Sequence, residues 1–336
     1  MSLLQRNSDF LFLYDATQCN PNGDPDQENK PRMDYDTDTN LVTDTRVKRY
    51  VRDYLKATGH AIFVDGEEGA KVSPDSKLQA VVTRLIADTA ELDNLFAEKP
   101  ELRAQLQQVL DAEQTPERVF TELQNKKKET EYRPLNLYLL AQLMKHQFVD
   151  IRLFGSAFAV KGFNRAYTGP VQLNWGYSLN RVKLMDSSTI ASTMNDDNGT
   201  FGKDYRVHYS LLAFNGSINR YAAQTSGLTE QDVDLFRKAL WESIPALPTR
   251  SKLNQYPQLY VEVVYKDGAA NGQLGDLRGY VRATATTADE KAVRRLDDLT
   301  VDLSALAEAI ATHDAVDYAI VRTGAGLTFA NPKPRA

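Results

Sequence analysis

The sequence is short of the residues that build disulfides and zinc sites. Its 336 residues include a single cysteine, Cys19, and four histidines, His60, His146, His208 and His313. A disulfide needs two cysteines, and a structural zinc site needs several Cys or His ligands at short spacings that these scattered residues do not have. The sequence therefore predicts a protein of a reducing cytoplasm, with no disulfide, no metal ligand and no cofactor.

Long apolar runs and an excess of positive charge are missing as well. No run approaches the roughly 20 apolar residues of a membrane-spanning helix, and residues 1–8 lack the charged and then apolar pattern of a secretion signal. These absences predict a cytoplasmic location and no membrane partner. The formal net charge of -5 argues against a protein that coats nucleic acid through bulk positive charge, although it leaves room for a local basic groove.

Motifs of the common enzyme classes are missing too. The sequence has no Walker loop, no nucleophile elbow and no His-x-x-x-His pair. A metal-assisted nuclease could still be built from Asp24, Asp26 and Asp34. Carboxylates in a loop rich in Asn, Pro and Gly are more often turn formers, because they bond to their own backbone. We therefore predict no catalytic residue and keep the nuclease as an alternative.

What the sequence contains is the composition of a packed globule, with 42% hydrophobic and 9% aromatic residues. Runs rich in β-branched and aromatic residues predict strands at residues 9–16, 149–160, 171–180, 206–218, 259–265, 279–285 and 317–323. Helical spacing of apolar residues predicts helices at residues 43–56, 75–89, 100–113, 116–127, 134–147, 228–243 and 303–311. The chain is therefore predicted to mix helices and strands.

The order of these elements indicates the fold. Once the helices between residues 74 and 147 are set aside, the remaining elements contain, in this order, strand, helix, strand, strand, helix and strand, which is the order of ferredoxin-like folds and of RNA-recognition motifs. We predict an α+β fold in which residues 1–60 and 149–336 form a modified ferredoxin-like palm and residues 61–148 form a helical insertion. Because this scaffold carries many unrelated functions, the order alone does not assign one.

A projecting β-hairpin is predicted at about residues 181–205. This segment is too long for a simple turn between strands, and Asn198-Gly199 is a hairpin-turn signal. It also carries Met185 and Met194 among polar residues. Flexible apolar side chains on an exposed hairpin indicate a partner into which they insert, and the alternative is a hairpin folded back on its own core.

The helix at residues 43–56 carries a row of positive charge. Rotation by about 100° per residue places Lys48, Arg52 and Lys56 one above another, with Arg49 beside them. Like charges four residues apart repel each other, which is better explained if an anion lies along the row. A basic face exposed to solvent is the alternative, and the helix alone does not decide between the two.

Polar and basic residues recur where predicted loops meet strands or helices. The loop at residues 19–40 combines Asn20, Asn22 and Arg32. It leads to Thr43 and Asp44, either of which is predicted as the helix N-cap. Further groups of this kind are Arg152 with Phe154 and Gly155, Gln172, Lys203 with Arg206, and Arg250-Ser251-Lys252. Such side chains are the usual contacts to phosphate and sugar oxygens, which position a nucleic acid strand without reading its sequence.

Taken together, these segments resemble a known family, the CRISPR-associated backbone subunits of type I Cascade, in the Csd/Csh branch of the Cas-seven family. The motifs that carry the resemblance are Asn20-Pro21-Asn22-Gly23-Asp24-Pro25 with Pro31-Arg32, Leu41-Val42-Thr43-Asp44 with Lys48-Arg49, residues 150–155 with Gly169-Pro170-Val171-Gln172, Phe201-Gly202-Lys203 with Arg206, and Thr249-Arg250-Ser251-Lys252. Residues 201–205 and 249–252 are most similar to type I-B members. Residues 74–147 and those after Lys266 carry no matching motif.

The resemblance implies a hand-shaped protein with an RNA-recognition-motif palm, helical fingers at residues 61–148 and a thumb at the predicted hairpin. In such families several copies form a filament along the CRISPR RNA spacer, and each thumb pushes between bases so that the segments between thumbs can pair with target DNA. The implied partners are CRISPR RNA, the target DNA strand, further copies of the chain and the other Cascade subunits (Cas-five, Cas-eight and the small subunit). Sequence specificity then belongs to the guide.

The resemblance also implies which residues bind. The RNA-binding set is Asn20, Asn22, Arg32, Thr43, Lys48, Arg49, Arg52, Arg152, Phe154, Gly155, Gln172, Lys203, Arg206, Arg250, Ser251 and Lys252. The thumb wedge is Met185 or Met194. The implied role is non-catalytic, in antiviral defence. Three alternatives stay open: a type III-like subunit that cuts target RNA with a loop aspartate, a repeat-processing ribonuclease with the same palm, and a homo-oligomeric scaffold without nucleic acid.

Overall fold

A computed structural model describes residues 2–65, 74–158, 160–186, 189–192 and 200–335. The chain divides into two compact units, each assembled from three separate stretches. The helical unit comprises Met1–Leu3, Gly59–Pro170 and Tyr221–Asp232. The sheet unit comprises Leu4–Thr58, Val171–Arg220 and Val233–Ala336.

The α-helices are α1 (Asp44–Ala57), α2 (Pro74–Ala87), α3 (Thr89–Leu95), α4 (Pro100–Glu113), α5 (Pro116–Leu123), α6 (Glu129–His146), α7 (Val149–Phe154), α8 (Arg220–Ser226), α9 (Glu230–Ala246) and α10 (Ser304–Thr312). Short 3-10 helices cover Pro25–Gln27, Lys126–Lys128, Leu277–Tyr280, Glu290–Ala292 and Leu296–Asp298. Prolines begin α2, α4 and α5, because the first amides of a helix have no partner within it. Within the described ranges, no helix is both long enough and apolar enough to cross a membrane.

The strands are β1 (Ser8–Thr17), β2 (Gly23–Asp24), β3 (Lys30–Pro31), β4 (Met33–Asp34), β5 (Thr39–Val42), β6 (Gly155–Phe158), β7 (Arg165–Thr168), β8 (Val171–Leu173), β9 (Gly176–Ser178), β10 (Thr189–Ser192), β11 (Thr200–Lys203), β12 (Tyr209–Ile218), β13 (Gln255–Tyr265), β14 (Arg282–Ala285), β15 (Leu299–Asp302) and β16 (Val316–Thr323). The predicted mixture of helices and strands is confirmed.

The sheet unit is built on one large antiparallel sheet. Its strands follow the order β16-β13-β1-β12-β9-β5-β4, with β8 also paired to β12. β1 lies in the interior, between β12 and β13, and Phe12 is directly opposite Phe214 on one side and Tyr260 on the other. The long loop after β1 therefore starts from the interior of the sheet.

Both faces of β1 are covered, which explains its nearly continuous apolar sequence. Leu11 and Leu13 belong to a buried cluster that includes Leu306 of α10. On the opposite face, the rings of Phe10 and Phe236 of α9 have centroids 5.7 Å apart. Successive side chains of a strand point to opposite faces, so the alternation places two cores on the two sides of the sheet.

The helical unit has its own core. Leu78 and Val82 of α2, Leu106 of α4 and Leu135 of α6 are among its fully buried side chains. In the same unit, the N-terminus of α5 is capped by Thr115, whose hydroxyl accepts from the amide of Arg118 at 3.4 Å. Local capping and a shared apolar cluster together explain why residues 74–147 form several short helices.

The strand predicted at residues 149–160 is wrong in its first half. Residues 149–154 form α7, and only Gly155–Phe158 pairs as a strand, with β7. The carboxylate of Asp150 accepts the amides of Phe63 (2.8 Å) and Val64 (3.0 Å). The β-branched and aromatic residues of this segment are therefore explained by burial inside the helical unit and not by strand pairing.

Two other predicted strands are interrupted. Residues 171–180 form the separate strands β8 and β9, and between them the amide of Asn174 donates to Asn215 O at 2.9 Å. Residues 279–285 begin within the 3-10 helix Leu277–Tyr280, which Asp276 caps, and continue as β14. β14 pairs with β15 in a separate two-stranded sheet.

A β-hairpin is present within the segment predicted to contain one. β10 and β11 pair antiparallel, with Thr189 opposite Lys203 and Ser192 opposite Thr200. The chain closes below them through the bridge between Leu184 and Val207. The turn signal at residues 198–199 lies outside the described residues.

Candidate nucleic-acid interface

Main-chain hydrogen bonds anchor the base of the loop that follows β1. The amide of Asn20 donates to Ser251 O at 2.9 Å. From the other side, the amide of Val207 donates to Cys19 O at 2.9 Å. The loop base therefore lies between two segments predicted separately from the sequence, residues 249–252 and the base of the hairpin.

Lys252 and Arg46 lie beside this loop base, and we call these two residues the cation cluster. The ammonium of Lys252 donates to Asn20 O. The guanidinium of Arg46 lies over the ring of Tyr50, 4.1 Å from its centroid. Among the described residues, neither cation forms an ion pair with a carboxylate, and both Arg46 Nε and Asn20 Oδ1 are buried without a hydrogen-bond partner.

The electrostatics of the cation cluster favour an anion. Burial, together with the positive charge of Arg46, lowers the pKa of Lys252 to about 8. Burial also raises the pKa of the Cys19 thiol to about 12, although the charge of Lys252 acts in the opposite direction, so Cys19 stays neutral at pH 7. A bound phosphate would favour the charged form of Lys252 and supply the missing counter-charge.

Asn22 connects the loop to the start of α1. Its Oδ1 accepts from the amide of Thr43 at 2.8 Å and from the Thr43 hydroxyl at 3.0 Å. Thr43 is the N-cap of α1, as predicted, and its hydroxyl accepts from the amide of Arg46 at 3.3 Å. The side chains of Asn22 and Thr43 are thus used within the protein, where they position the first turn of α1 and Arg46 in it.

Arg32 lies in the same loop. Its amide donates to Asn22 O at 3.0 Å. Its Nη1 lies 3.3 Å from Asp24 Oδ1, and its guanidinium lies 5.8 Å from the ring centroid of Trp175. Arg32 is therefore held by the loop and by the connection between β8 and β9.

Two cations of the predicted row on α1 have partners within the helix. Lys48 Nζ lies 2.9 Å from Asp44 Oδ2, and Arg49 Nε lies 2.7 Å from Asp53 Oδ1. Such pairs four residues apart offset the repulsion between neighbouring cations. Arg52 is half-buried on the same helix. The row therefore carries less net charge than the spacing of its cations alone suggests.

The base of the hairpin carries a compact set of charges. Asp204 Oδ2 lies 2.8 Å from Arg206 Nη2 and 2.8 Å from Arg250 Nη1. Burial opposes ionisation of Asp204, but the two guanidinium groups hold its pKa below the ordinary value. Arg206 also donates to Gln18 O at 2.9 Å, which joins this set to the loop base.

The loop also reaches the hairpin through Glu28. Its carboxylate lies 2.8 Å from Lys203 Nζ and accepts from the hydroxyl of Tyr205 at 2.9 Å. Lys30 lies over the ring of Tyr205, 5.0 Å from its centroid. The structure therefore brings the loop, the hairpin base and residues 249–252 together around Asn20.

Two other predicted residues, Met185 and Gln172, lie in the sheet unit. Met185 is half-buried at the base of the hairpin, where its amide donates to Arg206 O at 2.8 Å. Gln172 is exposed on β8, opposite Ser217 of β12. Met194 lies outside the described residues.

The remaining predicted residues, Arg152, Phe154 and Gly155, belong to the helical unit. Arg152 pairs with Asp232 through two hydrogen bonds, Nε to Oδ2 at 2.9 Å and Nη2 to Oδ1 at 2.7 Å. Although burial opposes it, this pairing keeps the pKa of Asp232 below its ordinary value. Phe154 is buried, and the backbone of Gly155 lies against that of Gly169. All three residues have structural roles within the unit.

The loop aspartates act as turn formers. Asp24 Oδ1 accepts from the amide of Asp26 at 3.2 Å, and Asp34 accepts from the amide of Asp36 at 3.1 Å. In the part of the chain that the structure describes, no group of three or more His, Cys, Asp or Glu side chains is placed to hold a metal ion.

Sequence analysis missed Arg46 and Trp175. Arg46 follows Thr43 by three residues, so its position in the first turn could be predicted, but the helical pattern does not show that its charge acts on Lys252. Trp175 falls inside a strand predicted to be continuous. Only the break between β8 and β9 leaves its ring exposed.

A family model described as "CRISPR-associated protein Cas7" matches residues 6–304. The chain belongs to the Cas7 family. A relative from Haloferax volcanii (strain DS2), also described as CRISPR-associated protein Cas7, is 30% identical over 92% of this chain and 84% of the relative. A chain of a solved "CRISPR RNA-guided surveillance complex, pre-nicking" has the same fold, with a TM-score of 0.54 at 13% identity over 98% of this chain and 95% of that chain. The resemblance noted in the sequence is confirmed at the level of the Cas7 family.

Proposed function

We propose that this Cas7 protein is the non-catalytic backbone subunit of a type I CRISPR surveillance complex, of subtype I-B, in the cytoplasm. It binds the phosphates of the guide RNA, and several copies bind one spacer. The guide bases then pair with target DNA, while other Cascade subunits (Cas-five, Cas-eight and the small subunit) complete the complex. The biological role is antiviral defence.

The order of elements in the sheet unit supports an RNA-recognition-motif palm. The elements that correspond to this motif are, in chain order, β1, α1, β9, β12, α9 and β13, with other elements between them. Their order is strand, helix, strand, strand, helix, strand. The four strands are neighbours in the sheet, in the order β13-β1-β12-β9. In this proposal the helical unit is the fingers and the β10–β11 hairpin is the thumb, with Met185 or Met194 as its wedge.

The observation that carries the proposal is the cation cluster. Lys252 and Arg46 are close enough for the charge of one to lower the pKa of the other, and no described carboxylate pairs with either. Two adjacent cations without a counter-charge are unfavourable in the free protein. A ribose-phosphate backbone would provide that charge without any dependence on base identity.

The bonding of the loop aspartates supports a non-enzyme. Asp24 Oδ1 accepts from the amide of Asp26 and lies 3.3 Å from Arg32 Nη1, while the two oxygens of Asp34 accept from Asp36 and Thr37. A carboxylate that forms a turn in this way is not oriented toward a shared metal ion. The proposal therefore gives these residues the role of shaping the loop.

The test is binding of spacer-length RNA by the full chain in a filter assay over a salt series. The variants are Lys252→Ala, Arg46→Ala and the double substitution, with Lys238→Ala, an exposed lysine of α9, as the matched control. We expect the double variant to weaken binding to two unrelated spacers equally. The slope of log affinity against log salt should become shallower by about 0.7 for each phosphate that the variant no longer binds.

Circular dichroism of each variant provides the folding control. Wild-type affinity and salt slope in a correctly folded double variant would contradict the proposal. Regularly spaced cuts in complementary RNA, produced by the assembled complex with magnesium, would contradict its non-catalytic part.

A further inference from the structure

Trp175 is a large ring that is exposed but firmly positioned. About half of it is accessible, 49%, although a tryptophan usually buries most of its surface. Its carbonyl oxygen accepts from Arg278 Nη1 at 2.7 Å. The same guanidinium is held by both carboxylate oxygens of Asp276, at 2.9 Å from Nε and 2.6 Å from Nη2. The backbone that carries the ring is therefore fixed.

Arg32 provides a second planar group beside this ring. Its guanidinium lies 5.8 Å from the Trp175 centroid, within the range of a cation–π contact. Asp24 holds Arg32 from the side at 3.3 Å, and the amide of Leu41 donates to Arg32 O at 2.8 Å. Both planar groups are thus in place in the free protein.

The pair lies at the same end of the sheet as the start of α1. β5 and β9 are antiparallel, and their last pair is Val42 with Gly176. Trp175, the residue before Gly176, therefore lies at the end of the ladder where β5 leads into Thr43. Asn22 contacts both sides of this junction, because its side chain accepts from Thr43 and its carbonyl oxygen accepts from Arg32. The ring therefore adjoins the loop whose base holds the cation cluster.

We propose that Trp175 and Arg32 form a stacking site for one unpaired base of the bound RNA. This inference rests on the proposed function and extends it from phosphate contacts to a base contact. Aromatic rings and guanidinium planes are the two protein surfaces on which single-stranded bases stack, and every base offers such a face. Asp24 compensates the charge of Arg32. Trp175 and Arg32 therefore offer a ligand two flat surfaces with little net charge.

The experiment uses the fluorescence of Trp175. The chain has two tryptophans, so Trp241→Phe leaves Trp175 as the sole emitter. This variant is titrated with single-stranded RNA and with an abasic ribose-phosphate chain of equal length. Base-bearing RNA should quench the emission, because a base stacked on the indole contacts its face, and the abasic chain should bind through its phosphates with little quenching.

Affinity measurements provide the second readout. Trp175→Ala should weaken RNA binding by about 5- to 150-fold, the range for removal of one base stack, and should bring the affinities for RNA and the abasic chain close together. Trp175→Phe should restore most of the affinity, and Trp241→Phe is the matched control that should retain it.

Each outcome assigns the ring. RNA binding with unchanged emission of Trp175 would overturn base stacking and leave the proposed function intact. If the intact protein binds neither the RNA nor the abasic ribose-phosphate chain, both the stacking site and the proposed function are overturned. Emission that changes with protein concentration and not with RNA would assign the ring to a contact between copies, and would also overturn the inference.

Discussion

At the scale of single residues, Lys252 shows how binding and stability oppose each other. Its ammonium is partly buried near a second cation, so its pKa falls to about 8 from the ordinary lysine value near 10.4. Below pH 8 the lysine is protonated in both folded and unfolded chains, and the penalty for burying its charge is fully present. As the pH rises from 8 towards the unfolded pKa, the folded protein loses this charge and the penalty disappears.

We expect Lys252→Met to stabilise the free protein at pH 7 by about 1–3 kcal/mol, because it removes a buried charge and keeps the length of the side chain. The gain should shrink as the pH rises above 8, and RNA affinity should fall at pH 7. Urea unfolding at pH 7 and pH 9, with filter binding of the same samples, checks all three effects. A less stable Lys252→Met protein at pH 7 would show that the ammonium contributes to folding through its bond to Asn20.

Gly155 is a second residue for which the structure indicates a role, in the close packing of two backbone segments. It has φ 72° and ψ -178°, a combination open almost only to glycine, and a β-carbon here would collide with the backbone of Tyr167 and Gly169. Its match to the family motif is thus explained by a close approach of two backbone segments within the helical unit.

We expect Gly155→Ala to destabilise the protein by about 3 kcal/mol or more, since backbone strain and the collision both act. Gly268→Ala is the matched control, because Gly268 also has positive φ (81°) but has open space at the position of a β-carbon. That substitution should cost about 1 kcal/mol. Equal urea midpoints for the two variants would remove the collision as the cause.

At the scale of elements, α1 is the part that sequence reasoning described best. Its N-cap is Thr43, one of the two residues predicted, and its buried stripe of Val47, Tyr50, Val51, Tyr54 and Leu55 has the helical spacing from which the helix at residues 43–56 was predicted. The prediction did not include the pairing of Asp44 with Lys48 and of Asp53 with Arg49, although both spacings are visible in the sequence. The row of cations remains a candidate binding surface for phosphates, and Asp44 and Asp53 are part of that surface.

Replacing Lys48, Arg49 and Arg52 together with Ala should weaken RNA binding similarly for any spacer and make its salt dependence shallower, because the variant makes fewer phosphate contacts whatever the base identity. Asp44→Asn with Asp53→Asn should have the opposite effect on the salt slope. Filter binding with two unrelated spacers measures both. Unchanged binding by the triple variant would assign the row to a solvated surface.

The other elements were predicted from the sequence with mixed success. β1 was found because its apolar run is continuous, and α4 because a proline and a regular stripe mark it. The first half of residues 149–160 was mistaken for a strand, since burial by a separate cluster selects the same residue types as a sheet does. In the candidate site, side-chain chemistry indicated Asn20 and Lys252, whereas the effect of the Arg46 charge on Lys252 depends on how the chain folds.

At the scale of the whole molecule, local and net charge have opposite signs. The chain carries a formal charge of -5, while the loop base holds two cations without a described carboxylate partner. Free copies of an acidic protein repel one another, and this repulsion is screened by salt. RNA changes the balance, because neighbouring copies bound to one strand are brought together by contacts that each of them makes to phosphate.

We therefore expect assembly that depends on RNA length. Without RNA the chain should stay in small species at low salt, and the number of copies bound to one strand should rise in proportion to the length of the RNA, whatever its sequence. Mass photometry of the chain with RNAs of increasing length checks this, with the Lys252→Ala, Arg46→Ala double variant as the control that should remain small. One copy per strand at every length would contradict the filament, while large assemblies that form equally well without RNA would favour a protein scaffold, since nucleic acid would then play no part in holding the copies together.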